Sequence, residues 1–541
     1  MTLHFAPDHS RPLIIDSFAG GGGASTGIEL ALGRSPDIAV NHNSAALALH
    51  AANHPETLHL SENVYKVDPL DYLRRRHVGL AWFSPDCKHF SKAKGGKPVE
   101  RNIRDLCWII PGWIERIQKS GGKVDVVIME NVEEFKDYGP LMQTERGLMP
   151  DPARKGETFE DWCKKLRKLG GKIEFRELRA CDYGAPTIRK RLFVIVRFDG
   201  KPIVWPEPTH GKPTDADVIT GKKLAWRTAA ECIDWSLPCP SIFDTTADVF
   251  EKHGLRAVRP LADATMSRVA RGMKRYVLDA ERPFLVSVEC STGEERRASD
   301  GWTERHDVAA TIAPHLSAFY GEGKGGNDRA APADEPIRVI STANRHAVVA
   351  PNLMSIKGSA RRDSAANDPH PTVLAGGGHS AVITPHLMTM RNAGKPFNGA
   401  DEPFHTITTK PRFSHVEAAL VAPPFTSDQH DRAREVAAFL RSYGFWDDRE
   451  FVTLSIGGET FVIVDIGMRM LTPRELYNAQ GFPVDYRIDD DGKGNAFPKS
   501  VQVSCVGNSV SPPVARALVA ANCGHLAAAN DNQETIIANA A

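Results

Sequence analysis

The sequence predicts an α/β fold, a doubly wound, Rossmann-like sheet interrupted by an inserted segment that is mainly β. Three observations carry this. Residues 12–32 read as a short apolar strand, a glycine-rich turn and a helix, which is how a doubly wound domain opens. Further apolar runs, Ile38–Val40, Val78–Phe83 and Val124–Met129, each stop at polar residues, as buried parallel strands do at their carboxyl ends. From Pro283 onward the pattern changes to alternating polarity broken by glycine and proline, the mark of hairpin strands.

Composition bounds the class. With 541 residues there is room for two or three domains, and 41% hydrophobic with 25% charged residues suits a soluble globular chain. Lysine and arginine total 67 against 67 aspartate and glutamate, so any nucleic-acid contact must come from local positive patches. Nine cysteines contain no C-x-x-C pair, which predicts a reduced, cytoplasmic chain with neither a disulfide framework nor a zinc site. No apolar run reaches the length of a membrane span, and the N-terminus lacks the layout of a signal peptide.

In chain order, the strand Pro12–Asp16 leads into Ser17-Phe18-Ala19 and the glycines 20–23. Glycines there let the backbone approach a ligand, and the following helix offers free N–H groups to an anion or carboxylate. The turn fits a dinucleotide, a phosphate or S-adenosylmethionine, but it is not a strict G-x-G-x-x-G, which argues against nicotinamide. The second strand ends at Asn41, where nucleoside-binding sheets usually place an acid for the ribose. A third unit, 58–67, leads to Asp68. The strand Val78–Phe83 stops at Ser84-Pro85, and Asp86-Cys87 follow on a loop carrying Lys88, Lys92, Lys94 and Lys97. Such surroundings favour a thiolate, so Cys87 is a candidate nucleophile. A helix over 104–119 is expected to break at Pro111-Gly112, and the strand Val124–Met129 ends in Glu130-Asn131-Val132. Asp16, Cys87 and Glu130 thus all lie at strand ends, where open α/β sheets bind ligands. Two further strands, 172–179 and 192–198, frame Arg189 and Arg191, whose alternation predicts two guanidiniums on one face.

These residues resemble, in order, the motifs of the DNA (cytosine-5)-methyltransferases. Phe18 to Gly23 is similar to the family's first motif, Cys87-Lys88-His89-Phe90-Ser91 to its nucleophile motif, Glu130-Asn131-Val132 to its Glu-Asn-Val, and Thr187-Ile188-Arg189-Lys190-Arg191 to its Gln-x-Arg-x-Arg. Downstream, Arg469 to Glu475 with Gln480-Gly481-Phe482-Pro483, and Val506 to Val510 with Pro512-Pro513, resemble the ninth and tenth motifs. The resemblance implies a Cys87 thiolate adding to carbon 6 of cytosine, Glu130 donating a proton at N3, Arg191 holding O2 with Arg189 nearby, and Asn131 bracing the cysteine loop. It implies S-adenosyl-L-methionine as cofactor, held by Asp16, Phe18, Ala19, Gly20, Gly22, Gly23, Asn41, Asn63, Pro85, Asn508 and Ser509. Ser91, Lys92, Asn131 and Arg469 would meet DNA. The partner implied is double-stranded DNA from which the cytosine is flipped, with no metal and no membrane, and the protein acting as a monomer. A separate cognate restriction endonuclease stays open, since this chain carries no nuclease motif. Four positions depart from the family: Asp86 precedes the cysteine where proline is usual, Asn41 and Asn63 stand for acids, and Thr187 stands for glutamine.

The insert carries its own signals. Basic residues from Lys252 to Arg275 accompany Leu261, Thr265, Val269, Met273 and Tyr276, which predicts a helix with one buried face. Pro283-Phe-Leu-Val-Ser-Val, Pro314-His-Leu-Ser-Ala-Phe, Pro351-Asn-Leu-Met-Ser-Ile and Pro385-His-Leu-Met-Thr-Met then recur at intervals of about 35 residues. They predict β-hairpins whose tips, bearing Lys324, Lys357, Arg361, Arg362, Arg391, Lys395, Lys410 and Arg412, would choose the DNA sequence. His315, His370, His386 and His405 follow the strand repeat, not a metal-ligand spacing. The expected domains are 1–245 and 463–525 for the catalytic part, 246–462 for target recognition, and 526–541 as a disordered tail. Two rivals remain: a transfer-RNA cytosine-5 methyltransferase, and a catalytically weak methyltransferase-like DNA-binding module.

Overall fold

The computed structural model describes residues 11–73, 75–86, 105–145, 147–280, 427–456 and 459–528, together with the backbone of the strands lying between 286 and 421. The chain divides into two compact units, Met1–Gly184 with Lys190–Thr209 and Gly481–Ala541, and Ala185–Arg189 with His210–Gln480. The divisions fall at 209/210 and 480/481, where 245/246 and 462/463 were expected. In the second unit, residues 234 and 242 bond to Glu475 and Ile466, and the strand Glu459–Met470 belongs to that unit's sheet.

The first unit is built on a seven-stranded sheet. Strands β1 (Leu13–Ser17), β2 (Ile38–Val40), β3 (Leu58–Leu60), β4 (His77–Phe83) and β5 (Lys123–Asn131) lie in the order β3-β2-β1-β4-β5, all parallel. The sheet ends in two antiparallel strands, Lys190–Arg197 beside β5 and Lys172–Arg179 at the edge. About ten residues join those two, fewer than a parallel crossover needs, so they can pair only antiparallel. Helices α1 (Gly23–Leu32) and α2 (Ser44–Asn53) follow β1 and β2.

Every residue of β4 from Val78 to Phe83 is buried, the burial expected of a central parallel strand covered on both faces. On one face pack Ile110, Trp113 and Ile117 of the helix Ile109–Lys119 with Phe159, Trp162 and Leu166 of the helix Glu157–Lys168. Pro111 does not break its helix. It is the third residue, where the backbone N–H has no intrahelical acceptor to lose. Against α1 lies the returning helix Pro512–Cys523, and the approach is close because Gly27 has no side chain: a Cβ there would stand 2.4 Å from that of Ala515.

The second unit centres on a ten-stranded sheet. Its helices Asp263–Met273 and Ser427–Ser442 cover it through Val269, Met273, Val436 and Leu440, which meet Ile463 and Ile466. The expected buried face of Thr265, Val269, Met273 and Tyr276 is present, on a helix that begins at Asp263. The repeated segments are strands, with one difference from the hairpins expected: His315–Ala318 and His386–Thr389 pair parallel, His315 opposite His386 and Leu316 opposite Leu387. Equivalent positions of two repeats therefore lie side by side. Lys357 ends the strand His346–Lys357, whereas the other basic tip residues and residues 529–541 lie outside the described residues.

Candidate active site

The reversal of strand order between β1 and β4 opens a crevice at their carboxyl ends, and the ladder sets what borders it. Ser17 pairs with Phe83, and Phe83 with Met129, so the glycine turn, the Ser84-Pro85 exit and Glu130 leave the sheet at one level. Three hydrogen bonds fix the exit. Ser84 N–H donates to Ser17 O at 3.1 Å, the Trp82 indole donates to Ser84 Oγ at 3.0 Å, and Asn131 Nδ2 donates to Pro85 O at 3.3 Å. Asn131 is itself held by Val132 N–H, which donates to its Oδ1 at 2.9 Å. Cys87, Ser91 and Lys92 lie outside the described residues.

Glu130 and Asn131 are the last two residues of β5, both buried. Arg191 Nε lies 3.2 Å from Glu130 Oε1, and its Nη1 donates to Lys190 O at 2.8 Å. Arg189 is also buried; it lies just before the strand, which begins at Lys190, and its N–H donates to Thr187 Oγ1 at 3.2 Å.

The turn after β1 is strained and tightly backed. Phe18 has φ +65°, a left-handed conformation that a bulky residue adopts at a cost of roughly 1–3 kcal/mol and that clusters at functional sites. It is held by two N–H groups, those of Phe18 and Ala19, both donating to Val40 O at 2.8 and 3.1 Å. The glycines divide by role. A Cβ on Gly20 would meet only open space and its own turn, which suits close ligand approach. On Gly21, Gly22 and Gly23 it would strike Cys505 Cβ at 2.7 Å, the Tyr486 hydroxyl at 2.2 Å and Val510 O at 2.2 Å. The returning C-terminal segment packs against all three, a requirement the sequence reading did not foresee, and Gly22 also holds a left-handed φ of +89°. Tyr486 seals the contact by donating its hydroxyl to Gly21 O at 2.7 Å.

Asp16 has no exposed surface, and Ser25 Oγ donates to its Oδ2 at 2.7 Å. Its Oδ1 and the hydroxyl of Ser17 find no partner among the described residues. Burial raises the Asp16 carboxyl from 3.8 to about 7, against the opposing bonds from Ser25. Between those values the folded chain keeps a proton that the unfolded chain has lost, so stability falls as pH rises through this window. Asp16→Asn, which keeps an acceptor for Ser25, is therefore expected to raise the melting temperature by several degrees at pH 8 and to leave it unchanged at pH 4. Calorimetric melting at the two pH values checks this.

The remaining cofactor candidates are spread around the turn. Asn41 is buried and its Oδ1 accepts from Asn43 N–H at 2.8 Å. Asn63 is exposed, its Oδ1 accepting from Tyr65 N–H at 3.0 Å. Asn508 is exposed at the end of the helix Lys499–Asn508, while Ser509 is buried with its Cβ 3.0 Å from where a Gly23 side chain would begin.

Arg469, expected to meet DNA, is instead a structural residue of the second unit. Its side chain is 8% exposed, and Nη1 and Nη2 reach the two oxygens of Glu475 at 3.0 and 2.8 Å, with Nη2 also donating to Asp234 O at 2.6 Å. Glu475, 1% exposed, further accepts from the backbone N–H groups of Thr472 and Asp234. A guanidinium with a buried two-point carboxylate partner is committed to the fold.

Residues 13–224 and 389–523, more than half of the chain, match the family model of the C-5 cytosine-specific DNA methylases. The chain belongs to that family. Among similar curated proteins are the type II methyltransferase M.AgeI of Thalassovita gelatinovora, 29% identical over 36% of this chain and 42% of that protein, and M.SacI of Streptomyces achromogenes, 26% identical over 42% and 58%. The chain spans about half the length of the curated relatives it matches. A triply substituted DNMT2 of Spodoptera frugiperda is a solved structure with 14% identity and a TM-score of 0.43, covering 94% of this chain and 98% of its own. The cofactor of the C-5 DNA methylases is S-adenosylmethionine, and the turn fits it: two orphaned buried oxygens, Asp16 Oδ1 and Ser17 Oγ, stand at a strand end beside a glycine turn. The residues that sequence reasoning missed are Tyr486, six places past Gln480, and two histidines four residues apart, His50 of the alanine-rich α2 and His54, which caps its C-terminus.

Proposed function

We propose that this chain methylates carbon 5 of a cytosine flipped out of duplex DNA, through a covalent adduct with Cys87. The bound cofactor supplies an electrophilic methyl group held by a sulfonium. Carbon 5 is too weak a nucleophile to take it unaided, so the Cys87 thiolate adds to carbon 6 while Glu130 donates a proton at N3, leaving an enamine at carbon 5. Arg191, 3.2 Å from Glu130, orients that acid and offers its remaining N–H groups to the base O2. After methyl transfer the carbon-5 proton leaves to a base, Cys87 is expelled as the thiolate, and N3 returns its proton to Glu130, restoring the ring and the acid.

The observation that carries this reading is the shared level of three strand ends, with Asn131 Nδ2 bonded to Pro85 O two residues before Cys87. The test uses duplex DNA containing 5-fluorocytosine, whose fluorine cannot leave as a proton does. Protein, cofactor and DNA are expected to give a denaturation-resistant adduct that Cys87→Ser abolishes. DNA and cofactor binding without any adduct would favour the DNA-binding module and defeat the proposal. We further propose that the insert chooses the site. Exchanging 283–425 for the equivalent segment of a relative should change the methylated sequence, which bisulfite sequencing of treated DNA would show.

A further inference from the structure

One buried cluster, unused by the chemistry above, runs from beneath the glycine turn to the edge of the sheet. Ser25 Oγ lies 2.7 Å from Asp16 Oδ2 and 2.9 Å from His50 Nε2, and His50 Nδ1 lies 2.9 Å from His59 Nε2. Each member comes from a different element, β1, α1, α2 and β3. Asp16, Ser25 and His50 have no exposed surface, whereas His59, on the edge strand, is half-buried. Every link joins atoms able both to give and to take a proton, so the line can carry hydrogen bonds in either direction.

We propose that Ser25, His50 and His59 are positioning residues of the cofactor site and form the path by which Asp16 passes its proton to solvent when the cationic cofactor binds. This rests on reading the β1–α1 turn as the S-adenosylmethionine site. In the acid state Asp16 Oδ2–H donates to Ser25 Oγ, Ser25 Oγ–H to His50 Nε2, and His50 Nδ1–H to His59 Nε2. As the cation settles beside Asp16, each proton moves one place outward. His59 becomes an imidazolium and gives its Nδ1 proton to water. The line then points the other way, with Ser25 donating to an Asp16 carboxylate that neutralises the ligand's charge.

The surroundings suit this. Opposite Asp16, the flanking strands place Ala39 and Trp82, neither of which titrates. Facing the histidines are His54, the residue that caps α2, which bonds Glu29 of α1 at 2.9 Å, and from the C-terminal segment Tyr486, whose ring centroid lies 6.3 Å from that of His54; Cys505 backs the turn. Burial pushes both His50 and His59 down, with neighbouring imidazoles adding to it, so near neutrality neither holds a second proton at rest. Burial likewise holds Asp16 at about 7, where the charge of a ligand can tip it. A carboxyl with no exposed surface cannot hand its proton to water directly, and the line supplies the route.

The experiment is titration calorimetry of the full chain with S-adenosylmethionine in buffers of unlike ionisation enthalpy, joined to stopped-flow mixing with a pH indicator. About half a proton should leave per cofactor at pH 7, and the Kd should be about tenfold lower at pH 8 than at pH 6. Asp16→Asn should abolish both. In His59→Phe, at the half-buried end, proton release should lag binding by tenfold or more, and His50→Gln should repeat the lag. Binding without proton release in the unaltered chain overturns the proposal, and so does release in both histidine variants that keeps pace with the parent. Failure of the unaltered chain to bind the cofactor at all removes the site reading on which the proposal rests.

Discussion

Glu130→Gln is expected to lower the single-turnover rate of methyl transfer by about 10²–10⁴, the range usual for loss of a positioned acid, with cofactor affinity unchanged. Glutamine keeps the shape of the side chain and an oxygen for Arg191 Nε, so the end of β5 and the Asn131 bond to Pro85 should survive. What it cannot do is deliver a proton to N3 as the thiolate adds. Rapid-quench transfer of a labelled methyl group to a duplex measures the rate. A loss of less than threefold would remove Glu130 from the role of acid. A loss accompanied by weaker cofactor binding would instead mean that the substitution had disturbed the shared level of the strand ends.

Much of this site was legible because its logic is local. A run of buried apolar residues ending in polar ones marks the carboxyl end of a parallel strand, and that alone placed Asp16, Cys87 and Glu130 at strand ends; the register sets Ser17 beside Phe83 and Phe83 beside Met129, while Cys87 itself lies outside the described residues. The resemblance implied that Asn131 braces the cysteine loop, and its bond reaches Pro85 O, two residues before Cys87. Three features were hidden for a common reason, that their partners are remote in sequence or conformation. Nothing near Gly21 to Gly23 announces that Tyr486, Cys505 and Val510 will press against them, so a packing requirement looks like a ligand requirement. The left-handed φ of Phe18 runs against the preference of a bulky residue and is imposed by Val40 O from the next strand. The repeat in the insert gave strands, but a period of residues does not say whether two repeats meet in a hairpin or, as His315–Ala318 and His386–Thr389 do, side by side. His50 on α2 and His54 at its C-cap were in plain view at one-turn spacing, and only the packing shows what His50 bonds to.

Arg469→Ala is expected to destabilise the second unit by about 3–5 kcal/mol, because it leaves Glu475 buried without its counter-charge. The three donors that remain to Glu475, the Thr472 and Asp234 N–H groups and the Thr472 hydroxyl, share one charge that a guanidinium had met at two points. Arg469→Lys should recover part of the loss, since an ammonium supplies the charge but not the fork. Urea unfolding measures both. The same variants separate a structural residue from a DNA contact, which the family resemblance had implied. An arginine on a phosphate adds close to one counterion to the salt dependence of binding, and its removal lowers the slope of log K against log salt by about one. At 10 °C and without denaturant, where the folded form of Arg469→Ala is expected to predominate, that slope should equal the parent's. A slope smaller by one would return Arg469 to the DNA and require Glu475 to release it on binding, whereas an unchanged slope with lowered stability leaves the arginine as the clasp between the end of the strand Glu459–Met470 and the helix Pro473–Gln480.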